Sequence, residues 1–451
     1  MRLTAHTLLI TAAAALASAC SRPAAAPDSA PVWLETDSAA AIDARTRADF
    51  PYTMPEFEAM VAGRYPGYTA EQLSAAVDAH YVETMVIDDT LRVFRKALRN
   101  MGLLDPVLNS RQVSRNSDAT AARLAELDST AATPDGDRRI TYRFSIDVPY
   151  SEAIAGDTLR VWMPVPVESE RQSDVTILSS VPAAYTLSEG RSPHNTLYME
   201  VPAPAAPGDT ARLEYTGAYT VRGKYVSPDY IRSHLRPYDT ASETYRRYTA
   251  LPDGGPHMVR LDSMARAIAG DATDPYTMSE RVFDYIDSTY LWAGAREYST
   301  IGCIPRYVVD EGHGDCGQVS LLYISLMRSL GVPARWESGW MLHPGSKNYH
   351  DWAEVYFEGV GWVPVDVSFG RFPGASSAKA RDFYSTGIDG WRFATNTGVA
   401  GELYPAKRYV RSETVDFQAG EVECSRGNIF YPAWDHTLTI LSSDPVKCKA
   451  Q

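Results

Sequence analysis

The chain has 451 residues, 45% of them hydrophobic, 22% charged and 11% aromatic, which supplies cores for two or three domains and excludes a wholly disordered protein. Its 43 basic residues against 56 acidic ones leave a formal charge of −13, which argues against nucleic acid as a partner and gives no electrostatic pull toward anionic lipid. The five cysteines, Cys20, Cys303, Cys316, Cys424 and Cys448, include no C-x-x-C pair, so neither a zinc ribbon nor a dithiol redox motif is on offer.

Residues 1–20 read MRLTAHTLLITAAAALASAC: a basic start at Arg2, an apolar run over 8–17, and small residues before Cys20. That is a secretory signal, and the run is well short of the ~20 residues needed to span a bilayer. The stretch 16–20 resembles a bacterial lipobox, which implies that Cys20 becomes the lipid-bearing first residue of the mature chain; ordinary cleavage after Ala19 is the alternative. Residues 21–35 form a Pro/Ala-rich tether. The expected location is therefore outside the cytoplasm, anchored in the cell envelope (periplasm or cell surface), with the membrane contacted through the N-terminal lipid only and disulfides permitted.

Residues 36–137 read as a helical region. Within it Ile87, Leu91, Phe94, Leu98 and Met101 recur at steps of four and three, which predicts a helix over 71–100 that stops near Gly102 and Pro106. From 138 to 226 the period changes to two, with short runs at 139–148, 157–163, 175–178, 196–201 and 211–219, which predicts a β-sandwich. A polar connector, 227–260, precedes helical patterns at 261–270 and 279–289. The chemistry is expected in a core over 261–395, followed by a β-rich C-terminal extension, 396–451.

Within that core, Gly312-His-Gly-Asp-Cys316-Gly-Gln opens a helix: Val319, Leu322, Tyr323, Leu326 and Leu330 share a face, Asp315 is an N-cap and Gly331 a C′ residue. Cys316 then sits in the first turn, where the positive end of the helix favours a thiolate and free N–H groups could hold an oxyanion. Asp315 works against the thiolate, so a proton acceptor is required. Strands are predicted at 336–340, 350–357 and 362–366, the last two forming a hairpin. If a two-residue loop closed it, Asp366 would point away from His350. If the loop has three residues, Gly361 pairs with Phe357, and Asp366 falls opposite Trp352 on the face of His350, ~7 to 8 Å away diagonally. An odd loop or bulge near Gly361 is predicted.

Taken together, Gly314-Asp315-Cys316, Gly331-Val-Pro-Ala-Arg335, His350-Asp-Trp-Ala-Glu-Val-Tyr356 and Gly361-Trp-Val-Pro-Val-Asp366 resemble the transglutaminase-like superfamily of papain-related folds over about 279–370. A weaker likeness to secreted bacterial members with a β-sandwich before the core extends to about residue 139. Gly387-Ile-Asp-Gly-Trp-Arg392 also looks like a stretch those proteins carry, without an assignable role. The resemblance implies an α+β protein: an N-terminal helical segment, a β-sandwich, then a papain-like core in which the cysteine helix packs on an antiparallel sheet. It implies Cys316 as nucleophile, His350 as proton acceptor and later donor, and Asp366 as the group that orients the imidazole, with no cofactor and no metal. The substrate would be a protein or peptide whose amide acyl group moves to sulfur and then to water or an amine. The Cys316 N–H is one oxyanion donor; Trp292, Tyr298 and Thr300 are candidates for a second.

Two other function classes stand beside this one: a cysteine peptidase or amidase acting on peptides or cell-wall material, and a non-catalytic binding or adhesion lipoprotein. Cys303 reads as structural, and Cys424 and Cys448 equally as a disulfide or as two separate thiols. A metal set drawn from Cys303, His313, Cys316, His343 and His350 matches no zinc spacing.

Overall fold

The computed structural model of the chain describes residues 34–115, 125, 129, 137–251, 258–369, 371–372, 375–376 and 378–446. Cys20, the signal, nearly all of the tether and Cys448 lie outside them.

The four-stranded sheet at the heart of the α+β core runs in the order Gly361–Val365, Asn348–Phe357, Ala334–Met341, Arg392–Asn396, all antiparallel. Against it lies the helix Cys316–Ser329, in which every residue from Gly317 to Met327 is buried. Such a helix has no solvent face, so its apolar side chains pack in more than one direction: Leu322, Leu326 and Met327 share a core with Trp336, Ala353, Val355 and Val365. The helix Pro275–Thr289 adds Val282, Phe283 and Ile286 to the same core.

The hairpin register is the three-residue one. Phe357 pairs with Gly361 around Glu358, Gly359 and Val360, and Ala353 pairs with Val365. Gly359 and Gly361 both have positive φ, 86° and 99°, which an L side chain would strain against. That loop sets the face on which Asp366 emerges.

Gly339, opposite His350 in the sheet, lies where the neighbouring strand comes closest: a Cβ on it would collide with the carbonyl oxygen of Phe393. Gly339→Ala is therefore expected to push the strand Arg392–Asn396 away and cost about 2 to 3 kcal/mol, read as a lowered denaturation midpoint with m unchanged.

Two further sheets form a sandwich. One has the order Leu34–Glu35, Gly427–Ile429, Glu421–Cys424, Thr158–Pro164, Thr196–Pro202, Thr186–Leu187, and the other Asp435–Pro445, Arg138–Pro149, Thr210–Val221, Gln172–Val181. Alternation in Arg138–Pro149 turns Ile140, Tyr142, Phe144, Ile146 and Val148 into a common core with Leu159, Val161, Leu197, Tyr215, Val422 and Trp434. The strands of the segment read as a C-terminal extension are thus built into both sheets of the sandwich: Glu421–Cys424 pairs with Thr158–Pro164, Gly427–Ile429 pairs with Glu421–Cys424, and Asp435–Pro445 lies at the edge beside Arg138–Pro149. Phe393 of the core sheet reaches into the sandwich, its ring 4.8 Å from that of Tyr142.

The expected single helix over 71–100 is replaced by a helix Ala70–Asp78, a hairpin of Thr84–Ile87 and Thr90–Val93, and a helix Ala97–Leu104. Asp88 and Asp89, both at positive φ (48° and 56°), form the two-residue turn, the conformation that fits the twist of a tight hairpin. The β-branched residues Thr84, Val86, Ile87, Thr90 and Val93 favour strands, and Leu91 is left exposed while Phe94 and Met101 are fully buried.

Candidate active site

Asp315 caps the helix that carries Cys316: its carboxylate accepts from Gln318 N–H, and the Gln318 side chain accepts from Asp315 N–H, a complete capping box. The same carboxylate takes a hydrogen bond from the buried Tyr298 hydroxyl. Of the three oxyanion-donor candidates, Tyr298 is therefore the one at the cap of the Cys316 helix. Thr300 donates to the Glu297 carbonyl, and Trp292 pairs in a short parallel strand with Gly314, two residues before Cys316, under the Arg99 guanidinium.

His350 is the third residue of the strand Asn348–Phe357, and its Nε2 lies 2.7 Å from Asp366 Oδ2. Asp366 is fully buried, and its other oxygen accepts from Ser368 and Phe369 N–H at 3.3 and 3.1 Å. These bonds fix the carboxylate, and the carboxylate fixes the ring, which rests edge-on to Phe369 with centroids 5.1 Å apart. Engaging Nε2 leaves Nδ1 as the nitrogen free to exchange a proton.

The Cys316 thiol lies beside the residue after the histidine: Sγ donates to Asp351 Oδ2 at 3.3 Å. Among the described residues no hydrogen bond joins Cys316 to His350. Asp351 Oδ1 accepts from Gln418 Nε2 at 2.6 Å, and the buried Asp351 carboxyl acts electrostatically on that of Asp416. The segment between the core sheet and strand Glu421–Cys424 thus reaches, through Gln418, the carboxyl that the thiol bonds. It is held by Arg45, a fully buried side chain of the helix Ser38–Asp49, which donates to the carbonyls of Arg411 and Ser412. Neither Asp351 nor Asp416 was expected from sequence; Asp351 lay inside the His350 motif, but Asp416 had no signal.

Electrostatics follow from this crowding. Burial, then Asp351 and Asp315, push the Cys316 thiol well above its ordinary range. Burial and Asp315 push Asp351 well above the carboxylate range, and burial and Asp351 do the same for Asp416. Burial, joined by Arg392, lowers His350 against the upward pull of Asp366 and Asp389. For Asp366 burial acts upward, but His350 and Arg392 outweigh it and hold the carboxyl below its usual range. The resting arrangement is a neutral thiol and a neutral imidazole backed by an ionised carboxylate.

Cys303, Cys316 and Cys424 are free thiols. No group of three His, Cys, Asp or Glu among the described residues is arranged to hold a metal ion, and no described helix is long and apolar enough to cross a membrane.

Residues 262–367 match the family model described as the transglutaminase-like superfamily. A curated relative, the uncharacterized protein YebA of Bacillus subtilis (strain 168), is 30% identical over 197 residues, 38% of this chain and 26% of that protein. The chain thus matches about a quarter of the length of that relative. Among solved structures, a candidate cysteine protease from Cytophaga hutchinsonii covers 67% of this chain and 98% of its own at 16% identity and a TM-score of 0.40. The periplasmic domain of TgpA from Pseudomonas aeruginosa covers 54% of this chain and 90% of its own at 15% identity and a TM-score of 0.28. The segment 262–367 of the chain is therefore similar to the transglutaminase-like superfamily.

Proposed function

We propose that the chain is a cell-envelope thiol enzyme that transfers or hydrolyses acyl groups at amide bonds of protein or peptide substrates, with Cys316, His350 and Asp366 as its catalytic residues. The observation that carries this reading is the buried 2.7 Å bond between His350 and Asp366, in a core that also holds a cysteine in the first turn of a capped helix, its thiol on the residue after that histidine. In the reading, Asp366 holds the tautomer in which Nε2 carries the proton, Nδ1 takes the thiol proton as sulfur attacks the amide carbon, and the imidazolium returns it to the leaving nitrogen. The Cys316 N–H and its neighbours at the helix start hold the oxyanion. For attack, the thiol must leave Asp351, and the Cys316 and His350 side chains must be brought within hydrogen-bond reach of each other. Envelope location, and lipid on Cys20, belong to the same proposal and rest on the N-terminal sequence.

The test is a glutamine-containing peptide offered with a labelled primary amine. Amine incorporation or ammonia release that depends on Cys316 supports acyl transfer or side-chain hydrolysis. Cleavage of a main-chain bond would replace that reading with a peptidase, and no reaction with any amide would leave a binding protein.

A further inference from the structure

Behind Asp366 runs a line of buried charges that the proposed chemistry does not use. Asp366 Oδ2, which meets His350, also lies 3.0 Å from Arg392 Nη1. Arg392 Nε and Nη2 reach Asp389 Oδ2 at 3.1 and 2.7 Å. Asp389 is held by the Tyr384 hydroxyl at 2.9 Å and the Trp391 N–H at 2.8 Å, and its Oδ1 lies 3.3 Å from His343 Nε2. The line is therefore imidazole, carboxylate, guanidinium, carboxylate, imidazole, with Arg392 fully buried and no member more than 5% exposed. Both Asp389 and Arg392 lie in the Gly387–Arg392 stretch that had no role from sequence.

Two carboxylates and one guanidinium sum to a single negative charge when both imidazoles are neutral. Burying such a set is costly, and well-packed apolar side chains would stabilise the fold at least as well. Its geometry has one direct consequence for His350: the carboxylate oxygen that holds the ring is shared with a fixed cation. Without that cation, the carboxylate at 2.7 Å would favour the imidazolium more strongly and raise the pH at which His350 becomes able to accept the thiol proton.

We propose that Arg392 and Asp389 are positioning residues that set the protonation of His350: Arg392 draws on the charge of Asp366 so that the imidazole rests neutral, and Asp389 limits that pull. The proposal rests on the reading of His350 as the proton acceptor. The charged groups that act on His350 are Asp366 after the hairpin, and Arg392 and Asp389 on and before the edge strand; Asp351, next on its own strand, is turned to Cys316 and Gln418. His343 acts through Asp389, and Asp416 through Asp351. From the segment before strand Glu421–Cys424, Gln418 Nε2 reaches the His350 carbonyl at 3.4 Å.

The two positioning residues carry opposite charges, so their removal moves His350 in opposite directions. The experiment follows the His350 ring carbon by NMR titration in the full chain carrying Cys316→Ala, so that no thiol titrates beside it; His350→Gln assigns the resonance. Arg392→Gln is expected to raise the His350 midpoint by about one pH unit, Asp389→Asn to lower it by about half a unit, and Arg392→Lys to leave it nearer the parent than Arg392→Gln does. Unchanged midpoints, or shifts of the same sign in Arg392→Gln and Asp389→Asn, overturn the proposal. If Arg392→Gln does not fold, the sign of the Asp389→Asn shift decides alone. The readout needs no substrate, so a chain that proves inactive on amides still reports on the charge line.

Discussion

Replacing Cys316 by alanine is expected to remove turnover on the order of 10⁵-fold or more while leaving the fold intact. The sulfur is the only group in the proposed site that can bond to the acyl carbon, so nothing in the alanine variant replaces the covalent step. The fold does not need it: the helix Cys316–Ser329 is capped by Asp315 and Gln318, and the single thiol bond removed, to Asp351, leaves that carboxyl still paired with Gln418. His350→Ala is expected to fall by a comparable factor, and the double variant no further than the worse single one, because residues acting as one unit lose their function together. Initial rates on one amide substrate, with thermal midpoints measured alongside, check this. A Cys316→Ala variant that retains a tenth of the parent rate would place the chemistry elsewhere.

Asp366→Asn is the second large effect, and it combines lost rate with lost stability. An asparagine amide no longer selects the tautomer with Nε2 protonated, so the imidazole offers an N–H where a lone pair is needed; the rate is expected to fall about 10³- to 10⁴-fold. The substitution also leaves Arg392, fully buried, with Asp389 as its remaining carboxylate partner. Disturbing a buried pair in this way costs about 3 kcal/mol. The sign of the pH dependence follows from the depressed Asp366 carboxyl. Its contribution to stability is fully present above the unfolded value of about 4 and is lost as pH falls through the lower folded value. Denaturation midpoints of the parent should therefore drop on acidification more steeply than those of Asp366→Asn. An Asp366→Asn protein with parental rate would contradict the role assigned to the carboxylate.

What the sequence disclosed, and what it withheld, divides along a physical line. The cysteine helix was legible because its determinants are local: a cap three residues from its partner, an apolar face, a glycine at the end. The His350–Asp366 pairing was legible because side chains alternate along strands, so one loop length decides the face. The hairpin at 84–93 was missed because Ile87, Leu91 and Phe94 satisfy a helical period by accident, while the turn is made by Asp88 and Asp89 in a conformation that composition does not announce. The strands at 421–445 could be recognised as strands, but not as members of the sandwich, since nothing local tells a strand which neighbour it joins. For the same reason Asp416, roughly a hundred residues beyond Cys316, and the Asp389–Arg392 pair behind Asp366 became visible only in three dimensions.

The central claim is that His350 serves the Cys316 thiol, and alkylation tests it without knowledge of the substrate. The thiol is held protonated at neutral pH by burial and by Asp351 and Asp315, so its reaction with iodoacetamide depends on proton removal. Modification of Cys316 at pH 7, followed by peptide mass to separate it from Cys303 and Cys424, is predicted to be at least about 100-fold faster in the parent than in His350→Ala. Equal rates in the two proteins would contradict the account.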